Sequence, residues 1–367
     1  MIIKGKYNSA FITVEDADYH TIQQVKYLCD LENLKDSNMV FMPDCCPGIV
    51  TPIGGTFTYN DSIMPNLVSG DIGCGMQTYK LSKNRIEFGQ IDKIIREEIV
   101  ERKKSGAIIE KYKNSIDLSV LRCVKQVDVD RAYNSLGSIG GGNHFVEFDI
   151  DEDKNLYLTI HSGSRILGTQ IAEYYISKGF EILKKNGFKL TREYVYITDK
   201  LMEDYLHDVE IAQRFADLNR RCIGEIIIKN MKNKIDEEFS TVHNYADTKE
   251  KIIRKGAVSA KEGEMLIIPI NMRDGILICT GKGNKEWNYS APHGAGRLLS
   301  RSEAKELLVS DYKKEMKGIY ASHIGVNTLD EAPMAYKNID YILDNINDTV
   351  VVNTILKPIY NYKSSSK

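Results

Sequence analysis

Apolar residues recur along the chain in two rhythms. Between residues 200 and 231, Tyr205, Val209, Ala212, Ala216, Ile223 and Ile227 fall mostly three or four positions apart. That spacing puts one buried stripe on a helix. Residues 91–104 and 171–185 predict two further helices. Short β-branched or aromatic runs at 157–160, 265–270 and 276–280 predict strands. Helices and strands mingle in chain order, so the predicted fold class is α+β. There is no internal repeat, and no low-complexity stretch beyond the Ser/Lys tail at 363–367, so one large domain over 1–367 is expected.

Polar chemistry gathers between these elements, in glycine-rich phrases: SGDIGCGM (69–76), GSIGGGNHFVEF (137–148), IHSGSR (160–165) and SAPHGAGRLLSR (290–301), with a glycine-free VHN at 242–244. Glycine lets backbone approach a ligand closely, and such junctions are where sites are built. Asp71 and Cys74, three residues apart in one turn, can aim a carboxylate and a thiolate at one point. His144, His161 and His243 each follow or end a strand-like run. Together they offer enough donors for one or two metal ions. The alternative for each residue alone is a satisfied structural histidine or a buried, inert thiol.

His293 lies in a Pro-His-Gly-Ala-Gly-Arg turn, and Ser300 to Glu303 has the form of a capping box opening a helix through Lys305 and Leu308. A helix start beside a glycine turn suits a phosphate, and a neutral imidazole there can attack phosphorus. Arg297 and Arg301 can grip further phosphate oxygens. The bland alternative is a plain turn with a structural His. His20, His207 and His323 read as structural or surface residues, and Glu147 as a side chain able to accept hydrogen bonds from a base.

Composition narrows the classes. Of 367 residues, 42% are hydrophobic and 27% charged, with 27 Gly and 8 Pro, which excludes disordered, collagen-like and coiled-coil chains. Lys+Arg 49 against Asp+Glu 51 leaves a net charge of -2, so nucleic-acid binding would need a local basic patch. The seven cysteines form no CxxC pair, which predicts reduced thiols. With no apolar leader and no run long enough to span a bilayer, a cytoplasmic location without membrane contact is expected.

Taken in order, DIGCGM, GGGNHFVEF, HSGSR, YLHDVEIAQRFADLNRR, VHN, RKGA (254–257), GKGN (281–284), SAPHGAGRLLSR, DEAPMAYK (330–337) and LKPIYNYK resemble the RtcB family of RNA-splicing ligases, from about residue 42 to 363. The resemblance implies mixed sheets around a central metal and guanylate cleft. It implies a ligase dependent on GTP and two Mn²⁺ ions, joining RNA 2′,3′-cyclic phosphate or 3′-phosphate ends to 5′-hydroxyl ends. By the same resemblance Cys74 bridges the ions, with Asp71, His144, His161 and His243 completing the set, and His293 takes GMP as a phosphoramidate. Asn143 and the backbone of Gly294, Ala295 and Gly296 would hold guanylate phosphate. Glu147, Tyr336 and Lys363 would recognise guanosine, and Arg165, Arg297 and Arg301 the RNA phosphates. An archease-like activator is a further implied partner. The metal identity rests on the resemblance, since a thiolate with imidazoles suits zinc at least as well.

The chain departs from the family pattern in three places. MPDCCPG stands where MPDxHPG is usual, so Cys46 replaces a histidine; PINMRDG (269–275) replaces a glycine- and serine-bearing segment; and YNYK is followed by SSSK. Two further readings therefore stay open: a guanylyl-transferring 3′-end capping or repair relative that does not join ends, and a non-catalytic RNA-end-binding protein.

Overall fold

The computed structural model describes residues 1–100 and 105–363. It is an α+β fold built on two mixed sheets. The first runs in the order Ile2–Lys4, Ser9–Ile12, Met39–Cys46, Ile53–Thr58, Ile252–Lys255, Asn244–Asp247. The second runs Ile235–Val242, Gly75–Leu81, Leu156–Ser162, Phe145–Ile150, Val350–Lys363, Gly275–Gly281, Met265–Asn271, with Tyr320–Ala321 pairing in parallel beside Val350–Lys363.

Register in the second sheet decides where the chemistry goes. Val242 faces Gly75, Met76 faces His161, His161 faces Phe145, and Phe145 faces Lys363. Five strands therefore end at one edge, where Cys74, His144, His161, His243 and Lys363 become neighbours. Adjacent strands lie roughly 4.8 Å apart, so residues distant in sequence meet at bonding range.

The predicted elements are present, with shifted limits. The long helix is Asp199–Asn230, and all six stripe residues named above are buried. The second predicted helix is Ile166–Lys185, and the strands are Leu156–Ser162, Met265–Asn271 and Gly275–Gly281. The helix expected at 91–104 starts earlier, as Phe88–Ile94, and widens into a π-helical turn over Ile95–Val100; 101–104 lie outside the described residues. The helix expected to run from Ser300 through Leu308 is a single turn, Arg301–Ala304. Its capping box is present, but Leu308 is extended and starts a new helix, Val309–Glu315, while Leu307 packs onto a small core around Tyr312 and Met272. His144 precedes its strand rather than following one.

The main core lies where the Asp199–Asn230 and Ile166–Lys185 helices cover the second sheet. Gly73 explains one close approach: its φ is +74°, and a Cβ there would stand 2.8 Å from the backbone of Gln213 and 2.9 Å from Ala216. The long helix thus lies directly on the turn that carries Cys74. All seven cysteines are buried and none is joined in a disulfide, as the reduced-thiol reading expects. Among the described residues no helix is long and apolar enough to cross a membrane.

Candidate metal centre and adjoining pocket

Four imidazoles form a row. Ring centroids of His144 and His161, of His161 and His243, and of His243 and His293 are each 5.0 Å apart. Cys74 Sγ lies 3.3 Å from Nε2 of both His144 and His161, and His161 Nε2 lies 3.3 Å from His243 Nε2. Asp71 closes the other end, with Oδ2 3.1 Å from His144 Nε2. Cys74, His144, His161 and His243 are all buried, and Asp71 is partly exposed.

This donor set fits a metal. The Asn143 carbonyl accepts from His161 Nδ1 at 3.2 Å, which fixes the proton there and turns the Nε2 lone pair inward. Burial and neighbouring positive groups push His161 and His243 well below the usual imidazole range, so both are neutral and able to ligate. Two ligands on one tetrahedral ion stand about 3.5 Å apart, close to the spacing found. Ligand atoms of Cys74, His144 and His161 all lie within 4.8 Å of one another. Burial and the adjacent Asp71 carboxylate push the Cys74 thiol well above its ordinary range, so a cation is what would convert it to a ligating thiolate. Asp71 is itself held at about 2: burial favours its neutral form, but the hydrogen bond and charge of His144 outweigh it.

Cavities open on both sides of the row. One, of about 190 Å³, is lined by His161, His243, His293, Asn143, Glu147, the 294–296 backbone, Arg297, Arg301, Tyr336 and Lys363. On the other side Asp71, His144 and Arg165 share a shallow mouth with Arg131. The structure therefore brings every sequence-predicted site residue to one centre or its two openings.

His293 is held more tightly than its turn suggested. Asp44, fully buried on Met39–Cys46, accepts from His293 Nδ1 at 2.6 Å and from its backbone N–H at 3.2 Å. That leaves Nε2 with a free lone pair. Gly296 permits the arrangement: at φ +74°, a Cβ would collide with the Asp44 carbonyl at 2.2 Å. The four-residue helix at Arg301 supplies little dipole, so anion affinity here depends on the glycine-turn N–H groups and side chains.

Arg297 and Arg301 are already engaged. Both reach Glu331, at 3.4 Å and 2.9 Å, and Lys363 bonds the same carboxylate at 2.7 Å and Tyr336 at 2.6 Å. Burial would raise the Glu331 carboxyl, but Lys363 and Arg301 hold it at about 2. Glu147 sits deeper, bonded by the Asn361 amide, and burial pushes it up to about 7. Asp149 beside it is raised well above its usual range by burial and by Glu147. Neither Asp149 oxygen has a hydrogen-bond partner among the described residues.

Sequence reasoning missed Asp44, Glu331, Asp149 and Asn361. Asp44 and Glu331 stand inside quoted phrases, MPDCCPG and DEAPMAYK, which were the available signal. Asp149 follows the GGGNHFVEF phrase with no comparable mark.

The family model for tRNA-splicing ligase RtcB matches this chain over residues 24–128 and 99–364. The chain belongs to the RtcB family. RNA-splicing ligase RtcB1 of an Escherichia coli strain is 29% identical over 362 residues, covering 88% of this chain and 89% of the relative. RNA-splicing ligase RtcB of E. coli K12 is 28% identical with the same coverage. The tRNA-splicing ligase RtcB of Nanoarchaeum equitans is 27% identical over 400 residues, covering 83% of each chain. The RtcB match spans the whole centre, from Asp44 to Lys363.

Proposed function

We propose that this chain is a GTP- and Mn²⁺-dependent RNA ligase that joins 2′,3′-cyclic phosphate or 3′-phosphate ends to 5′-hydroxyl ends. The observation that carries the reading is the Asp44–His293 pair at 2.6 Å, which aims a free imidazole lone pair into a pocket walled by the metal-donor row. Family membership supports it, since the relatives are named RNA-splicing or tRNA-splicing ligases.

In this reading, His293 Nε2 attacks the α-phosphorus of GTP. A nitrogen–phosphorus bond forms and pyrophosphate leaves, while Asp44 stabilises the imidazolium that results. At a cyclic end, water first opens the 2′-ester to leave a 3′-phosphate and a 2′-hydroxyl; an oxygen of the RNA 3′-phosphate then displaces the histidine and takes the GMP. Finally the 5′-hydroxyl attacks the activated 3′-phosphorus, and GMP departs. Asp71, Cys74, His144, His161 and His243 would hold two Mn²⁺ ions, which when bound neutralise phosphate charge and activate an attacking oxygen. Asn143 and the backbone of Gly294, Ala295 and Gly296 serve the guanylate phosphate. Glu147, Tyr336 and Lys363 serve guanosine, with Arg165, Arg297 and Arg301 toward RNA phosphates.

Joining of a 3′-phosphate RNA to a 5′-hydroxyl RNA, with GTP and Mn²⁺, tests this. Wild type should join and His293→Ala should not; joining by the variant would remove the reading. A second reading, guanylyl transfer to 3′-ends without joining, is favoured by Cys46, which lines the His293 pocket where the family usually has histidine. Accumulation of a GMP-capped 3′-end that never joins would select it.

A further inference from the structure

The YLHDVEIAQRFADLNRR stretch has so far served only as a helix. Its last turns carry two polar side chains, Asn219 and Arg220, both fully buried. Arg220 Nη1 donates to the Gly73 carbonyl at 2.7 Å and to the Ser162 carbonyl at 2.9 Å. These are the residues beside Cys74 and His161. Asn219 Nδ2 donates to the Ser138 carbonyl at 3.1 Å, to Ser162 Oγ at 2.9 Å and to the Gly163 carbonyl at 3.3 Å; its Oδ1 accepts from the Gly137 N–H at 2.7 Å. Residues 137–138 begin the glycine-rich segment that ends in Asn143 and His144. About two turns earlier, Gln213 Oε1 accepts from Ala246 N–H at 3.0 Å, on the strand that follows His243.

Each ligand-bearing segment is thus tied to a single rigid helix. Strand register alone does not do this, because Cys74 and His144 lie just outside their strands; the Cys74 turn is bonded to the His243 segment, with Gly73 N–H on the Asn244 carbonyl at 2.7 Å and His243 N–H on the Cys74 carbonyl at 2.9 Å, and the helix adds direct ties to the segments of His161 and His144. The charge is also informative. Among the described residues, Arg220 Nε and Nη2 have no hydrogen-bond partner and no carboxylate bonds this guanidinium, so its fixed contacts are the two backbone carbonyls. Its charge is offset at longer range, by Asp217 first and then by the Cys74 and Asp71 of the centre.

Building on the metal-centre reading above, we propose that Arg220, assisted by Asn219, is a positioning residue for the metal centre, clamping the Cys74 and His161 segments at their ligating separation. Outer partners of this kind typically change metal affinity about 10- to 100-fold.

The test is Co²⁺ titration of the full chain, followed by the thiolate-to-cobalt charge-transfer band, alongside thermal unfolding without metal. R220K keeps the charge but loses the fork geometry. It should retain a cooperative metal-free transition, yet bind Co²⁺ about tenfold more weakly with a diminished or shifted band. N219A should show a smaller loss. R221Q, which alters a half-exposed arginine paired with Asp217 and Glu238, should match wild type. If R220K and N219A bind Co²⁺ with wild-type affinity and spectrum, the clamp is overturned while the metal centre stands. The clamp is also overturned if their affinity falls only by the fraction unfolded. If wild type itself gives no thiolate–cobalt band, the metal-centre reading fails, and the clamp with it.

Discussion

Two buried clusters share one sheet edge and solve opposite problems. Around Glu331, one carboxylate meets Lys363, Arg297, Arg301 and Tyr336, so acid and base satisfy each other within the protein. Around Cys74, a thiol and three imidazoles converge at 3.3 Å, and among the described residues no cation bonds the atoms they turn toward one another; Arg165 reaches only the outer Nδ1 of His144, at 3.4 Å. A carboxylate already bonded by internal cations serves as rigid wall. A cluster of converging donors is complete only with a cation, which is why metal binding is read from the second and not the first.

Single substitutions should separate the two clusters. The largest effect is expected from Cys74→Ser, which removes the central donor. Metal affinity should fall by more than about 100-fold, beyond the loss of an outer hydrogen-bond partner. Glu331→Gln should leave Co²⁺ or Mn²⁺ affinity at the wild-type value in the same titration. Stability should reverse this order. Glu331→Gln leaves three cations facing one another, and denaturant unfolding of metal-free protein should show a loss of about 3 kcal/mol; Cys74→Ser should cost less than about 1 kcal/mol. Equal metal losses in the two variants would erase the distinction.

The pH dependence sharpens the contrast within the pocket. Glu331 lies below its ordinary 4.5, so its contribution is present above pH 4.5 and is lost as pH falls toward 2. Glu147 lies above 4.5, near 7, so its contribution has the reverse sign: full below 4.5 and lost as pH rises through 7. Metal-free wild type should therefore lose stability between pH 4.5 and 7 at up to about 1.4 kcal/mol per unit from Glu147. The double change Glu147→Gln with Asp149→Asn should flatten that interval and leave the acid limb unchanged; an unflattened profile would refute the raised carboxyls as its source. The smallest effect concerns the outer mouth. Arg165→Gln should lower the salt dependence of RNA affinity by about one unit of log–log slope. An unchanged slope would place Arg165 away from phosphate.

The ligands were legible because each stands in a short polar phrase, glycine-rich in all but VHN, at or beside the end of a strand-like run. The long helix was legible from its stripe. What brings the ligands together was not. The pairing of Gly75 with Val242 and of His161 with Phe145 joins segments far apart in the chain, and local pattern carries no information on such register. Asp44 and Glu331 were illegible for a different reason: an acid reads as surface until the structure shows it buried against His293 or between cations. The helix expected through Leu308 was overruled by Leu307, whose burial against Tyr312 outweighs one more helical turn. Arg220 and Asn219 face inward onto backbone carbonyls, which their residue types alone do not reveal.

The central claim is that the oriented His293 beside the metal row accepts a nucleotidyl group. Intact-protein mass after incubation with GTP and Mn²⁺ measures this directly, with His293→Ala in parallel. The expected result is a GMP-sized increase in wild type that is absent in the variant. No increase in wild type with Mn²⁺ bound, or an equal increase in both, would contradict the account.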